Sequence, residues 1–233
     1  SIAFELIQHS NLEKKQILYF SESDKEARLL KNELLILLDS SMIGYYPERE
    51  ILPYDRFSTS DSIIQDRLKL LNSDKKNLKI VVTSGINLFE KLPSKNDYLA
   101  RKQFSLGDSL SIKDLTAILE DLNYQRVDKV TSINEYTVRG GVVDFYSGFH
   151  KQPLRVDFFG DQIDEIRQFD PSSQHMVDKL SNFKLFSGSE IRLNDESIKK
   201  FKSNWRNYFQ THDERHCEIF QTLVKGQYPE GYE

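Results

Sequence analysis

The sequence contains a single cysteine, Cys217, so no disulfide can form within the chain. It also lacks any apolar run near the roughly 20 residues that a membrane-spanning helix needs, and its N-terminus lacks the pattern of a signal peptide. These absences predict a protein of the reducing cytoplasm that makes no membrane contact. The net charge of −4 is not the strong positive charge typical of non-specific nucleic-acid binding.

Motifs for phosphate binding are missing as well. The one Gly-x4-Gly spacing joins Gly226 and Gly231, but Tyr232 and Glu233 stand where a phosphate loop needs Lys and then Ser or Thr. No Gly-x-Gly-x-x-Gly segment occurs. A helix stop followed by a loop is the preferred interpretation of these two glycines. The sequence therefore predicts no bound nucleotide and no cofactor in this chain.

Two further patterns fall short of a catalytic site. His212 and His216 lie one helical turn apart, but Asp213 follows the first histidine where a metalloprotease helix carries Glu, and the ligand set is incomplete. Ser84 precedes Gly85, yet the segment "VVTSG" lacks the flanking glycines of a nucleophile elbow. A metal hydrolase is thus the weakest hypothesis. We predict that this chain is not an enzyme.

What the chain does contain is the composition of a globular protein, with 38% hydrophobic and 29% charged residues. Residues 1–100 alternate short apolar runs with amphipathic stretches, which predicts a parallel α/β sheet. Ser23 is the expected N-cap of the first helix of this pattern. Its buried stripe and that of the next helix are predicted to be Leu30, Leu34, Leu37 and Leu38, and then Ile64, Leu68 and Leu71.

The pattern changes near Pro93–Lys102. Residues 101–187 combine one helix, with Leu115, Ile118, Leu119 and Leu122 on its buried face, and several strands, which predicts an α+β domain. Residues 188–233 are again helical, with one face formed by Ile198, Phe201, Trp205 and Tyr208 and a second helix that ends at Gly226. We therefore expect three segments, 1–100, 101–187 and 188–233, within a longer protein, since the chain starts at Ser1 rather than Met.

Two adjacent phenylalanines stand out in "RVDFFGD". Neighbouring side chains of a strand point to opposite faces, so if Phe158 packs inward, Phe159 points outward together with Arg155 and Asp157. An exposed aromatic beside arginines is typical of a protein-binding hot spot. The alternative is a solvated charged face with Phe159 beneath the polar loop at residues 146–153.

The segments "VRGGVVDF" (Val138–Phe145) and "LRVDFFGDQIDEIRQFD" (Leu154–Asp170) resemble the N-terminal module of the bacterial transcription-repair coupling factors and, less closely, UvrB. The likeness extends to "EREILPYDRFSTSDSIIQDRL", "NEYTVRGG", "FKSNWRNYF" and "LVKGQYPEGYE". UvrB carries a long aromatic hairpin where this chain has only the link from Tyr46 to Ser60, with Tyr54 and Phe57. This difference favours the coupling factors. Tyr146 and Ser147 depart from the Phe-Pro frequent in relatives.

The resemblance implies a degenerate motor-like, P-loop NTPase-like domain interrupted by an inserted UvrA-binding domain. It implies that this fragment recruits UvrA to stalled RNA polymerase, while domains outside the chain bind the polymerase, DNA, ATP and Mg²⁺ and form a DNA translocase. The family's UvrA contacts correspond to Arg139, Arg155 and Phe159; Arg167 and Asp170 extend this patch without a family role. The alternative is a truncated UvrB-like protein that binds nucleotide or DNA. That alternative allows a phosphate loop upstream of Ser1.

Overall fold

A computed structural model describes residues 1–13, 15–51, 57–73, 75–92, 102–191, 193–209, 214 and 216–229. Several features of the sequence lie outside these residues, namely Tyr54, the predicted boundary at 93–101, His212, Asp213, and Gly231 with the residues after it. None of the helices within the described ranges has the length and apolar character needed to cross a membrane.

The described residues form six α-helices, two short 3-10 helices and eleven strands. The α-helices are α1 (Ile2–Glu13), α2 (Asp24–Leu37), α3 (Asp61–Asn72), α4 (Ile112–Asp121), α5 (Asp195–Tyr208) and α6 (Glu218–Val224). The 3-10 helices are Ser40–Met42 and Gly85–Leu88. The strands are β1 (Ile17–Ser21), β2 (Ile43–Tyr46), β3 (Ile80–Ser84), β4 (Lys102–Ser105), β5 (Gln125–Arg126), β6 (Glu135–Arg139), β7 (Val142–Phe145), β8 (Leu154–Phe159), β9 (Gln162–Phe169), β10 (Met176–Lys179) and β11 (Asn182–Leu185).

The first strands form a three-stranded parallel sheet in the order β1-β3-β2, which confirms the predicted parallel α/β arrangement. Helices α1 and α2 contribute Ala3, Ala27 and Leu34 to its core. Ser23 caps α2 as predicted, since its hydroxyl accepts a hydrogen bond from the Glu26 amide. The sequence analysis did not anticipate helix α1.

The prediction that Leu37 of α2 lies in the core is wrong. Leu30 and Leu34 are buried, but Leu37 is 47% exposed. The helix ends at Leu37, and Leu38 is already extended and packs against the core in its place. Because the helical period stops there, the apolar stripe cannot continue through Leu37. The core instead gains Ala27, one turn before Leu30.

Strands β5 to β10 form a six-stranded sheet in the order β10-β9-β8-β7-β6-β5. All its pairs are antiparallel except β5 with β6. One face packs against α4 and the β4-β11 pair, through a core that includes Leu115, Leu119, Val156, Ile166 and Phe183. The predicted α4 stripe is confirmed, since Leu122 is buried and Ile118 packs against this core. The opposite face of the sheet remains available for function.

The last two helices pack through aromatic rings. Phe201 and Trp205 of α5 contact Phe220 of α6, with ring centroids 5.5 and 5.2 Å apart. Tyr208, predicted on the same face, is 81% exposed, so that prediction is wrong. The helix ends at Tyr208, and the chain turns at Phe209, whose ring centroid lies 4.5 Å from that of Trp205. Gly226 follows α6 with a φ of +75°, as expected for a helix stop.

Helix α3 joins the two sheets. Its residues Ile64 and Leu68 form an apolar cluster with Phe149, which follows β7. Gln65 Nε2 donates a hydrogen bond of 3.0 Å to Asn134 Oδ1. The same cluster confirms the predicted stripe, since Leu71 packs against it. Side chains from one helix therefore contact both parts of the fold.

A buried charge cluster adds a second connection. Arg67 of α3 is fully buried, and its Nε lies 2.8 Å from Oε1 of Glu190, a residue that follows β11. The Arg67 guanidinium also contacts Glu90 at 2.6 Å and lies 4.1 Å from the ring centre of Tyr46. Burial alone would lower the pKa of Arg67, but the charge of Glu190 and its neighbours raises it above its usual value. We call Arg67, Glu190, Glu90, Tyr46 and Arg49, which pairs with both glutamates, the Arg67 cluster.

We predict that Arg67→Ala lowers the free energy of unfolding by about 3–5 kcal/mol, because it removes one of the two arginines that pair with the buried Glu190 carboxylate. Urea unfolding of the purified chain measures this loss. Lys69→Ala is the matched control, since Lys69 lies on the same helix in an exposed ion pair with Asp66, and its effect should stay within about 0.5 kcal/mol. Equal unfolding midpoints for both variants would contradict the structural role of the cluster.

Candidate functional site

The face of the six-stranded sheet opposite α4 is the candidate site, and we call it the outer face. Strand pairing arranges its side chains in three cross-strand rows. The first row is Thr137, Asp144, Arg155, Arg167 and Lys179; the second is Arg139, Val142, Asp157 and Glu165; and the third is Phe159 and Gln162. The three residues predicted from the sequence therefore occupy the same face in three different rows.

Phe158 and Phe159 separate as strand alternation predicts. Phe158 packs against the core beneath the sheet, whereas Phe159 is 81% exposed. The interpretation that placed Phe159 beneath the loop at residues 146–153 is therefore wrong. Phe159 pairs with Gln162 at the end of the β8-β9 hairpin, next to Gly160, which has a φ of +60°. Its ring stands at the rim of the outer face, open to a partner.

Arg155 is held within the protein. Its Nε lies 2.7 Å from Asp144 Oδ1 and its Nη2 lies 2.8 Å from Asp144 Oδ2. The two residues thus form a bidentate ion pair, and the Asp144 side chain is only 2% exposed. The guanidinium lies 4.6 Å from the ring centre of Phe169. The hydrogen bonds with Asp144 raise the pKa of Arg155 above its usual value. The Arg155 side chain is 23% exposed, so it presents one edge of a restrained guanidinium to solvent.

Arg139 is more open. It ends β6 directly before the Gly140–Gly141 turn, and 56% of its side chain is exposed. Its Nη2 reaches Asp144 Oδ2 at 3.2 Å. Asp144 therefore receives both arginines, which brings Arg139 and Arg155 together around one buried carboxylate. Most of the Arg139 side chain remains free to meet a partner.

Phe159 lies farther from Arg155 than from the row of Arg139. Four residues of strand separate Arg155 from Phe159, which corresponds to about 13 Å at the usual rise per residue. Arg139 is in the row of Asp157, only two residues from Phe159 along β8. The patch thus combines an exposed ring at one end with two arginines across its centre.

A second group of charges flanks this patch. Arg167 pairs with both Asp157 and Glu165, and Lys179 lies 2.5 Å from Glu165. The hydrogen bond with Lys179 lowers the pKa of Glu165. Asp170, which was expected to extend the patch, accepts hydrogen bonds from the backbone amides of Ser172 and Ser173 in the turn after β9. The charges of this group are largely satisfied within the chain.

Three residues of the outer face were not among those predicted from the sequence, namely Asp144, Phe169 and Gln174. Asp144 had a detectable signal, because strand alternation in "VVDF" sets it opposite the core residues Val143 and Phe145. Phe169 had the same signal, because it ends β9 and alternation sets it on the face of Arg167. Gln174 had none, because its contact with Arg155 depends on the turn between β9 and β10. Gln174 adopts a φ of +62° there, which no sequence pattern indicated.

The weaker candidates gain no support from geometry. Among the residues that the structure describes, no group of three or more His, Cys, Asp or Glu side chains could hold a metal ion. His216 belongs to that part, whereas His212 lies outside it. Ser84 is 1% exposed, and its buried hydroxyl is not open to a substrate.

The outer face lies within a segment that matches a known domain family. Residues 103–190 match the family model of the UvrB interaction domain. Nearly the whole chain is similar to transcription-repair-coupling factors: 32% identity over 212 residues with that of Haemophilus influenzae, 29% over 225 with that of Rickettsia bellii, and 29% over 213 with that of Escherichia coli. These matches cover 90%, 94% and 90% of this chain but 18%, 20% and 18% of the relatives.

The chain thus spans about a fifth of the length of the curated relatives that it matches. The matched family range contains all three rows of the outer face. Residues 103–190 therefore match the UvrB interaction domain family, and the chain is similar to the N-terminal module of the transcription-repair-coupling factors.

Proposed function

We propose that this chain is the recruiting arm of a transcription-repair coupling factor and that it binds UvrA through the outer face. One observation carries the proposal: an aromatic side chain that is 81% exposed, Phe159, lies within the residues that match the UvrB interaction domain. Large exposed aromatics beside arginines are the side chains that contribute most to protein interfaces. Arg139 and Arg155 are arginines of the same face, one row and two rows away from Phe159.

The chemistry of the outer face defines the partner surface that fits it. The Phe159 ring requires an apolar pocket, and the exposed part of Arg139 requires a carboxylate at the rim of that pocket. Arg155 offers a guanidinium edge whose direction is already set by Asp144. We therefore expect UvrA to present an apolar pocket with acidic residues beside it.

The wider activity belongs to the full-length protein. We propose that domains outside this chain bind RNA polymerase and double-stranded DNA and use ATP and Mg²⁺ to drive a DNA translocase in the cytoplasm. The names of the relatives and the short share of their length that this chain covers support that division of labour. Within this chain, the division into residues 1–100, 101–187 and 188–233 stays a prediction.

We also propose that the three-stranded sheet is a degenerate motor-like, P-loop NTPase-like domain that binds no nucleotide. Ligands of open parallel sheets bind beyond the carboxyl ends of the strands. Here Glu22 follows β1, Asp24 and Glu26 lie in the first turn of α2, and these negative charges disfavour phosphate at that helix N-terminus. Beyond β2 and β3, the Arg67 cluster brings together charged and aromatic side chains from four parts of the chain.

We predict that Phe159→Ala weakens UvrA binding by about 30-fold or more, the effect of losing a hot spot of about 2 kcal/mol. Titration of purified UvrA against the immobilised chain gives the Kd. Phe89→Ala is the matched control, because Phe89 is 88% exposed but follows the three-stranded sheet. Equal Kd values for wild type, Phe159→Ala and Arg139→Ala would overturn the proposed function.

The same variants require a stability check, because lost binding could also reflect unfolding. Phe159→Ala should change the free energy of unfolding by less than about 0.5 kcal/mol, as expected for an exposed side chain. Phe158→Ala removes the inward ring of the same pair and should cost about 3 kcal/mol. A large loss of stability in Phe159→Ala would show that the ring supports the fold and is no interface residue.

We predict that millimolar ATP and Mg²⁺ leave the thermal unfolding midpoint of the chain unchanged. A site with nucleotide at about 100 times its Kd would stabilise the folded state by about 2.7 kcal/mol, which a thermal melt detects readily. ADP serves as a second ligand in the same measurement. A clear upward shift would instead favour the alternative of a UvrB-like fragment with nucleotide-binding activity.

A further inference from the structure

Arg155 is contacted on several sides by residues of the outer face. Asp144 binds its Nε and Nη2, and the Phe169 ring lies beneath the guanidinium plane. Nη2 also donates a hydrogen bond of 3.2 Å to Gln174 Oε1. Residues from two strands and one turn thus contact the Arg155 side chain. This side chain is still 23% exposed and therefore accessible to a partner.

The contribution of Gln174 depends on an unusual backbone. Its φ of +62° lies in the left-handed region, where glycine is favoured and a side chain is disfavoured. The turn holds this conformation through a hydrogen bond of 2.7 Å from the Gln174 amide to the Asp170 carbonyl. The Gln174 side chain bridges two groups, because Nε2 donates to the Pro171 carbonyl at 2.9 Å while Oε1 accepts from Arg155.

We propose that Asp144 and Gln174 are positioning residues, which fix the Arg155 guanidinium in the orientation in which it meets UvrA. This inference rests on the proposed function and deepens it. A long flexible side chain loses conformational freedom on binding, and an arginine that is already ordered avoids that loss. The fixed fork of the guanidinium then offers its remaining edge to a partner carboxylate in one direction.

Both positioning residues hold Arg155 without pointing to the partner themselves. Asp144 is 2% exposed and lies beneath the two arginines. Its negative charge would, if anything, oppose an acidic partner, so any gain in binding must come from the geometry that it imposes. Gln174 is neutral, and its two side-chain bonds are both within the chain. Variants of the two residues therefore separate the effect of charge on UvrA binding from the effect of the Arg155 orientation.

The first test is Gln174→Gly. Glycine accepts the left-handed backbone without strain, so the variant should fold with an unchanged or higher unfolding midpoint. It removes the Arg155 contact without altering net charge, and UvrA binding should weaken about 3- to 10-fold, the range expected when one long side chain must be ordered on binding. Wild-type affinity in this variant would overturn the role of Gln174.

The second test is a double-mutant cycle between Asp144→Asn and Arg155→Ala. Asparagine keeps the size of the side chain but loses the bidentate ion pair with Arg155. We therefore expect UvrA binding to weaken by about tenfold. If Asp144 acts through Arg155, the two losses should be clearly less than additive. Any loss in the double variant beyond that of Arg155→Ala alone reports the contact of Asp144 with Arg139. Additive losses, or tighter binding by Asp144→Asn, would show that Asp144 acts through charge or through the fold and would overturn its positioning role.

A measurement without UvrA keeps this inference separate from the proposed function. The NMR order parameter of the Arg155 Nε–H bond should be high in wild type and should fall in both Gln174→Gly and Asp144→Asn. Lys69→Ala should leave this order parameter unchanged. Equal order in all variants would overturn the inference. If order is lost as expected but neither Phe159→Ala nor Arg139→Ala changes UvrA affinity, the proposed function fails while the positioning geometry stands.

Discussion

The register of β8 is the constraint on which the outer face depends. Leu154 and Val156 are fully buried against the core, and this commits the alternate residues Arg155 and Asp157 to the opposite side. A slip of one residue would exchange the two sets and bury charge. The same alternation continues along β8, so that Phe158 packs inward and Phe159 faces out. The register shift between Asp157 and Phe158 then pairs Phe158 with Ile163, which is also buried.

A buried carboxylate converts this face into an organised surface. Asp144 sits opposite Arg155 in the β7-β8 register and opposite Thr137 in the β6-β7 register. Burial of a carboxylate is unfavourable unless charge and hydrogen bonds compensate it, and the two arginines provide both. The same pairing that stabilises Asp144 in the sheet also aligns the arginines. The packing of the sheet and the proposed orientation of Arg155 therefore depend on the same residue.

Helix α3 gives the outer face a defined position relative to the three-stranded sheet. Its apolar side joins Phe149, Gln65 bonds to Asn134, and Arg67 pairs with Glu190 after the six-stranded sheet. The Asn134 side chain also donates a hydrogen bond of 3.0 Å to the carbonyl of Gly188. These contacts form a network of side chains that links α3 to the segments around Asn134 and Glu190.

Local rules account for what the sequence could predict. Alternation separated Phe158 from Phe159, the Ser23 cap located α2, and helical spacing identified Leu34, Leu68 and Leu119 as core. Failures occurred where helices end, since Leu37 and Tyr208 follow the period but lie at the last helical residue. Pairings between distant segments were beyond such rules: no local pattern relates Arg67 to Glu190, or Gln174 to Arg155, because tertiary structure alone brings them together.

The most direct test of UvrA binding through the outer face is hydroxyl-radical footprinting with and without saturating UvrA. Phe159, Phe89 and Tyr208 are 81%, 88% and 81% exposed, so all three rings should be modified rapidly in the free chain. UvrA should slow the modification of Phe159 several-fold and leave the rates at Phe89 and Tyr208 unchanged. Protection of either of those two rings with an unchanged rate at Phe159 would contradict the account.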